Sequence, residues 1–480
     1  MNALDSILKN ASRARLIPTV ADSSKEERIV SILLATLSVT RALAEQVLSC
    51  AVRVKKTSQL SSYTEVEFPA SGNNGKERPD GILILSTRNG QWTALLEAKT
   101  GNAKIDEDQM LRYAGIAREY GIDAIITLSN QLVSLPTHIP YSIPKRFTKS
   151  CQFFHLSWIS ILTQASLILR DREELVPEQA YVLGEMVRFF EHPNSGIKRF
   201  DQMNPEWQPL ILGIREGQQY SRASPEIENT IASWHQEERD ICLILSRRMG
   251  KHIGINLPRK HQNDPSIRLR DASDSLATLQ ELYSSFYIPN AASNLDVTVN
   301  LQRRTISCSM ALKAPEDKQR TSARINWLIR QLKNVDGSDV IIRAFWLRGR
   351  KSTQAKLSEI RDNPKCLENG GAGAVLKKFE VVIVTDLAGR FSRRKTFIED
   401  LEKVVPEFYE RIGQHLRPWI PPPPAIEKRD PVQSKDDASP SKKSDPHSSA
   451  RPTTSLSEDS NDSNGKKPTI PSKSVKPWQI

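Results

Sequence analysis

Asp80, Glu97 and Lys99 are the residues of this chain whose types and spacing best suit chemistry. Two carboxylates converging on one surface repel unless a cation sits between them, and a hard ion such as Mg²⁺, or Mn²⁺ in its place, prefers such oxygen ligands. The ion polarises a phosphoryl oxygen and lowers the pKa of a bound water. An ammonium beside it orients that water or offsets charge developing on phosphate. The chemistry to expect is phosphodiester cleavage, provided that the three side chains meet.

A β-hairpin must bring them together. Residues 81–85 and 92–98 read as two apolar strands joined through Arg88-Asn89-Gly90-Gln91, and Asn-Gly is the strongest short hairpin signal because both residues tolerate φ > 0. With Asn89-Gly90 as a two-residue loop, Arg88 faces Gln91, Asp80 faces Lys99 and Ile82 faces Glu97. Facing residues share a side of the sheet, as do residues two apart on one strand. Asp80, Glu97 and Lys99 then converge on one face, while Leu83, Leu85, Leu96 and Ala98 take the other. The competing reading is a surface Asp–Lys pair with a Glu nearby. Ile82, Ile84, Leu95 and Ile125 weigh against it, since unpaired charges among such residues are costly.

Around the hairpin, Ser23 and Ser24 before Glu26 and Glu27 form a capping-box pattern, followed by Ile29, Val30, Leu33, Leu34 and Leu37 on one helical face. Residues 63–68 alternate as a strand ended by Pro69. Asp106 caps a helix that stops at Gly121, and 124–129 and 153–156 are further strands. Helices at 158–169 and 177–191 close an α/β domain. Farther on, helices are expected at 225–249, 323–332 and 395–416, and strands at 295–301, 305–312, 340–347 and 378–385. The organisation is an N-terminal extension (1–22), a first α/β domain (23–192), a linker (193–214), a second α/β or α+β domain (215–419) and a disordered Pro/Ser/Lys-rich tail (420–480).

The stretch RPDGILIL…WTALLEAKTG resembles the PD-(D/E)xK nuclease superfamily, and DQMLRY resembles the Gln-x-x-x-Tyr motif of its RecB-like branch. The resemblance covers about 140 residues. It implies a restriction-endonuclease-like mixed sheet flanked by helices, with Asp80 and Glu97 as metal-binding acids, Lys99 as the catalytic lysine and the backbone carbonyl of Ala98 as a further ligand. It also gives Gln109 and Tyr113 a supporting role. Gln109 is equally the third residue of a capping box opened by Asp106, and Tyr113 lies on the apolar stripe of its helix. Many members add an acid from the first helix. Glu26 fits, because at 100° per residue it points into the apolar face, although an acid at a helix N-terminus is also favoured by the dipole. Glu65 and Glu67 are weaker candidates.

The chain carries a net charge of +12, and the region from Pro421 onward, with ten Lys/Arg against eight Asp/Glu, supplies only about +2 of it. A basic folded part favours a polyanionic partner, here nucleic acid and DNA before RNA. Basic pairs at Arg247-Arg248, Arg259-Lys260, Arg303-Arg304, 348–351 and 393–395, with Trp327, Trp346 and Phe391 nearby, suggest phosphate contacts and base stacking by the second domain. Five scattered cysteines without a Cys-x-x-Cys pair argue for reduced thiols and against a disulfide framework or zinc ribbon. No apolar run of roughly 20 residues and no secretory leader is visible, so no membrane partner is expected and a cytoplasmic location is. The pattern leaves the oligomeric state open, a dimer included. The expected function is a Mg²⁺-dependent nuclease in repair, restriction or defence. The alternative is a nucleic-acid-binding or assembly protein that keeps a nuclease fold.

Overall fold

Apolar residues on both faces of the 81–98 hairpin require cover on both sides, and the chain supplies it with helices before and after. The computed structural model describes residues 3–8, 11–17, 25–69, 76–88, 90–171, 175–347, 351–368 and 374–421. The first half runs α1 (Ala3–Leu8), β1 (Ser12–Arg13), α2 (Lys25–Val39), α3 (Arg41–Val47), β2 (Gln59–Thr64), β3 (Phe68–Pro69), β4 (Lys76–Glu77), β5 (Gly81–Thr87), β6 (Gly90–Ala98), α4 (Glu107–Tyr120), β7 (Ala124–Ser129), β8 (Gln152–Ser157), α5 (Trp158–Arg170) and α6 (Pro177–Glu191). Its sheet has the order β1-β2-β5-β6-β7-β8. The pairs up to β5–β6 are antiparallel, and β6–β7 and β7–β8 are parallel. Leu83, Leu85, Leu96 and Ala98 pack with α2, α3, α5 and α6. Ile82, Ile84, Leu95 and Ile125 pack under α4 with Met110, Tyr113 and Ala117.

The second half runs α7 (Trp207–Arg215), α8 (Pro225–Met249), β9 (Gly254–Ile255), α9 (Arg259–Asn263), α10 (Pro265–Leu279), β10 (Glu281–Tyr287), β11 (Leu295–Asn300), β12 (Thr305–Lys313), α11 (Thr321–Gln331), β13 (Val340–Trp346), β14 (Thr353–Lys356), α12 (Leu357–Asp362), β15 (Leu376–Asp386) and α13 (Arg394–Arg411). Its sheet, ordered β14-β13-β15-β12-β11-β10-β9, is antiparallel throughout. The chain is thus mixed α/β, and residues up to Ile420 belong to one compact unit. Among the described residues no single helix is long and apolar enough to cross a membrane; α2 and α3 pass together by length and composition, but they are bent by 113°.

Several expectations are corrected. The 1–22 extension is partly built into the fold, because β1 pairs with β2 and Leu4 is buried under the sheet. The strand expected at 63–68 ends at Thr64, where Glu65 turns the chain at φ 56°. The 193–214 linker is packed: Met203, Trp207, Leu210 and Ile211 are fully buried. Ser23, Ser24 and the tail from 422 onward lie outside the described residues.

Candidate active site

The hairpin register sets the geometry. Thr87 pairs with Gly90, Ser86 with Gln91 and Gly81 with Leu96. The expected pairing of Asp80 with Lys99 is therefore wrong by two residues. Gly90, at φ 136°, a conformation that L side chains rarely adopt, enters the ladder as the first residue of β6 instead of forming the loop. Asn89 lies outside the described residues. A shift of two preserves the alternation of faces, so convergence survives: one step beyond the Gly81–Leu96 pair, Asp80 lies across from Glu97. The Ala98 amide donates to Asp80 Oδ2 at 2.7 Å and anchors it there.

Glu97, nearly inaccessible at 2 % exposure, is held from two directions. Lys99 Nζ donates to Oε1 at 2.5 Å, and the Tyr113 hydroxyl donates to Oε2 at 3.1 Å. Gln109 Nε2 in turn donates to the Tyr113 oxygen at 3.0 Å. Of the two readings of Gln109, the structure has this one: Asp106 caps α4 by accepting from the Asp108 amide, and the Gln109 side chain reaches Tyr113. The Tyr113 ring is core and its hydroxyl belongs to the site.

Glu26, in the first turn of α2, accepts from the Thr100 amide at 2.8 Å, and its second oxygen lies 4.0 Å from Lys99 Nζ. The structure thus brings together Asp80 just before β5, Glu97 in β6 and Lys99 just after it, Gln109 and Tyr113 of α4, and Glu26 of α2. It leaves Glu65 and Glu67 outside, paired with Arg78 and Lys76.

Burial, then the charge of Glu97, pushes the Asp80 carboxyl up to about 7 against the opposing Ala98 hydrogen bond and Lys99. Burial pulls the Lys99 ammonium down, but Glu97, Asp80 and Glu26 outweigh it and hold its pKa above the usual lysine value. Burial and the Glu97 charge push the Tyr113 phenol well above its ordinary range, so it remains a neutral donor. Three carboxylates surround one ammonium, every donor is oxygen, and among the described residues Asp80 Oδ1 takes no hydrogen bond. A hard divalent cation fits such a set.

Residues that the sequence reading passed over hold the lysine. The Lys99 amide donates to the Leu128 carbonyl at 2.8 Å, and its own carbonyl accepts from Trp158 Nε1 at 2.9 Å. Asn130 Nδ2 bridges the carbonyls of Gly101 and Gly196 at 2.9 and 2.8 Å. A Cβ on Gly196 would stand 3.1 Å from Thr100 Cβ, and its φ of 76° is one that L side chains rarely adopt, so the close approach favours glycine. The available signal was position, since Asn130 directly follows the end of a parallel strand, where open α/β sheets gather ligand-binding residues.

Two of the three stacking residues expected in the second half are corrected too, while Trp327 stays partly buried against the core. Phe391 is wholly buried against Trp207 and Phe397, and Trp346 is 5 % exposed with its indole donating to Thr353. Neither offers a face to a base. Residues 348–350 lie outside the described residues. Comparisons of the chain with protein-family models, curated proteins and solved structures give no match.

Proposed function

We propose that this chain is a Mg²⁺-dependent nuclease hydrolysing phosphodiester bonds in DNA, related to the RecB-like branch of the PD-(D/E)xK superfamily and acting in repair, restriction or defence. The observation that carries this reading is the meeting of Asp80, Glu97 and Lys99 at one end of β5 and β6, ringed by Tyr113, Gln109 and Glu26. A mixed sheet with helices on both faces suits a restriction-endonuclease-like fold. Five free thiols suit a reducing cytoplasm.

Asp80 and Glu97, with the Ala98 carbonyl and Glu26 beside them, are the groups that would hold Mg²⁺ or Mn²⁺. When bound, the ion supplies phosphoryl polarisation and a water of lowered pKa. Lys99, held protonated, offsets negative charge growing on the phosphate. Tyr113 fixes the Glu97 carboxylate through its hydroxyl, and Gln109 fixes Tyr113. Glu26 ties α2 to the backbone just after the lysine.

The test is incubation of the full chain with linear, circular and single-stranded DNA and with RNA, in Mg²⁺, Mn²⁺ or EDTA. Metal-dependent cleavage that is lost in Lys99→Ala, with binding kept, is the expected result. Cleavage unchanged in that variant removes the site assignment. Binding without cleavage under every condition favours the alternative, a nucleic-acid-binding or assembly protein.

A further inference from the structure

A second group of carboxylates lies on elements the hairpin site does not use. Glu237 and Asp240, three apart on α8 and therefore on one face, are both fully buried, and Glu402 on α13 approaches from the rim with 25 % of its side chain exposed. One oxygen of each lies within 4.8 Å of the others. Arg199 reaches Asp240 Oδ2 at 3.3 Å and Glu402 Oε1 at 3.0 Å. Arg247 also faces Asp240 and Glu402, but its guanidinium donates to Thr163. Neither arginine bonds Glu237.

The decisive feature is Glu237 itself. Among the described residues neither of its oxygens has a hydrogen-bond partner, and Asp240 Oδ1 has none either. A fully buried carboxylate with both oxygens unpaired is a costly arrangement, and such groups in folded proteins call for an explanation. A proton shared between Glu237 and one neighbouring carboxylate, whose oxygen lies within 4.8 Å, would settle that pair and leave the third acid as it is. An additional ligand accounts for all three carboxylates at once.

We propose that Glu237, Asp240 and Glu402 form a binding site for a hard divalent cation of the Mg²⁺, Mn²⁺ or Ca²⁺ class. Oxygen donors alone select that class over softer metals. The site is structural: the ion clamps α8 to α13 beside Arg199. The neighbouring residue Lys198 donates its amide to Asn130, which holds the Gly101 carbonyl after the catalytic lysine. This inference stands apart from the hairpin reading, because the two sites share no residue.

Mn²⁺ titration of the EDTA-stripped full chain, with free Mn²⁺ read by electron paramagnetic resonance, tests it. A variant carrying Asp80→Asn and Glu97→Gln should still bind one Mn²⁺ per chain. Adding Glu237→Gln should weaken that binding roughly tenfold or more, since even outer partners of metal ligands are worth this much. Circular dichroism should show the triple variant folded. If it does not fold, Glu402→Gln at the exposed rim replaces Glu237→Gln in the same experiment, with the same loss expected. No Mn²⁺ bound by the double variant, or equal binding after the third substitution, overturns the site. Failure of the hairpin reading would show separately, as cleavage that ignores Lys99.

Discussion

Lys99 sits between Glu97 at 2.5 Å and Glu26 at 4.0 Å, and this position decides which role it can play. A lysine acting as general base must lose its proton, whereas this one is held above the usual lysine value. It is suited to stabilising charge. On the proposed nuclease reading, Lys99→Ala should therefore lower kcat by about 10²–10³-fold, the usual consequence of removing one well-placed donor, and leave the affinity for DNA within a few-fold; single-turnover cleavage and a binding titration check both halves. Asp80 gives a stability prediction in EDTA. Its unfolded pKa is about 3.9 and its folded value about 7. Below the unfolded value both states are protonated and burial of Asp80 carries no charge penalty. Between the two values the folded state binds the extra proton, so stability falls as pH rises, and above about 7 the penalty is complete. Asp80→Asn still offers an oxygen to the Ala98 amide and removes the penalty. Its melting temperature should exceed the wild-type value by a few degrees at pH 8, about 3 °C in order of magnitude, and the gap should close near pH 4. A gap independent of pH would assign the effect to something other than the Asp80 charge.

At the scale of elements, legibility followed the strength of local signals. Helix α4 could be read from Asp106 to Gly121 because both ends carry their caps, a side-chain acceptor at one and a glycine at φ 67° at the other. The hairpin was readable in kind but its register was not, because Asn-Gly can turn the chain or, as here, place its glycine in the ladder. The site survived since alternation has period two and the error was two. The strand before it was misplaced because apolar alternation continues through Val66 and Phe68 although Glu65 has already left the extended region. Helix α10 and strand β10 escaped notice because Gln280 alone joins them, at φ 56°, with neither Gly nor Pro to mark the break. Glu26 is placed by helical periodicity together with the resemblance, which expects an acid from the first helix, and its substitution separates charge from anchoring. Glu26→Gln keeps an oxygen for the Thr100 amide and should leave stability unchanged while lowering Mg²⁺-supported cleavage about tenfold if the charge helps hold the ion. Glu26→Ala should in addition cost about 1 kcal/mol through the lost hydrogen bond. Chemical denaturation alongside cleavage distinguishes them, and full cleavage in Glu26→Gln would reduce this residue to an anchor.

At the scale of the whole molecule, the two sheets share their support. Helix α8 places Leu243 in the core of the first sheet and Ile241, Cys242 and Leu245 in that of the second. Contact order of this kind is hard to read from sequence, because a helix buried on several sides offers no single apolar stripe. Polar ties run across the same seam. Arg268 on α10 bonds Ser134 after β7 and pairs with Glu238 on α8, which also accepts from Ser284 on β10 at 2.6 Å. His138 meets the Gln262 carbonyl at 3.1 Å. Arg268 and Glu238 are 5 % and 2 % exposed, so the loss of one partner leaves the other as an uncompensated buried charge. Arg268→Ala should accordingly cost about 3–5 kcal/mol, far more than any exposed ion pair of the second sheet. Because the residue ties both halves, the loss should lower one transition followed by both far-ultraviolet circular dichroism and tryptophan fluorescence. Replacing the pair together, Arg268→Met with Glu238→Leu, should recover most of the loss, since no charge is then stranded. A two-step melt of Arg268→Ala, with one half unfolding at the wild-type temperature, would mean that the seam is a contact between independent bodies and not part of a common core.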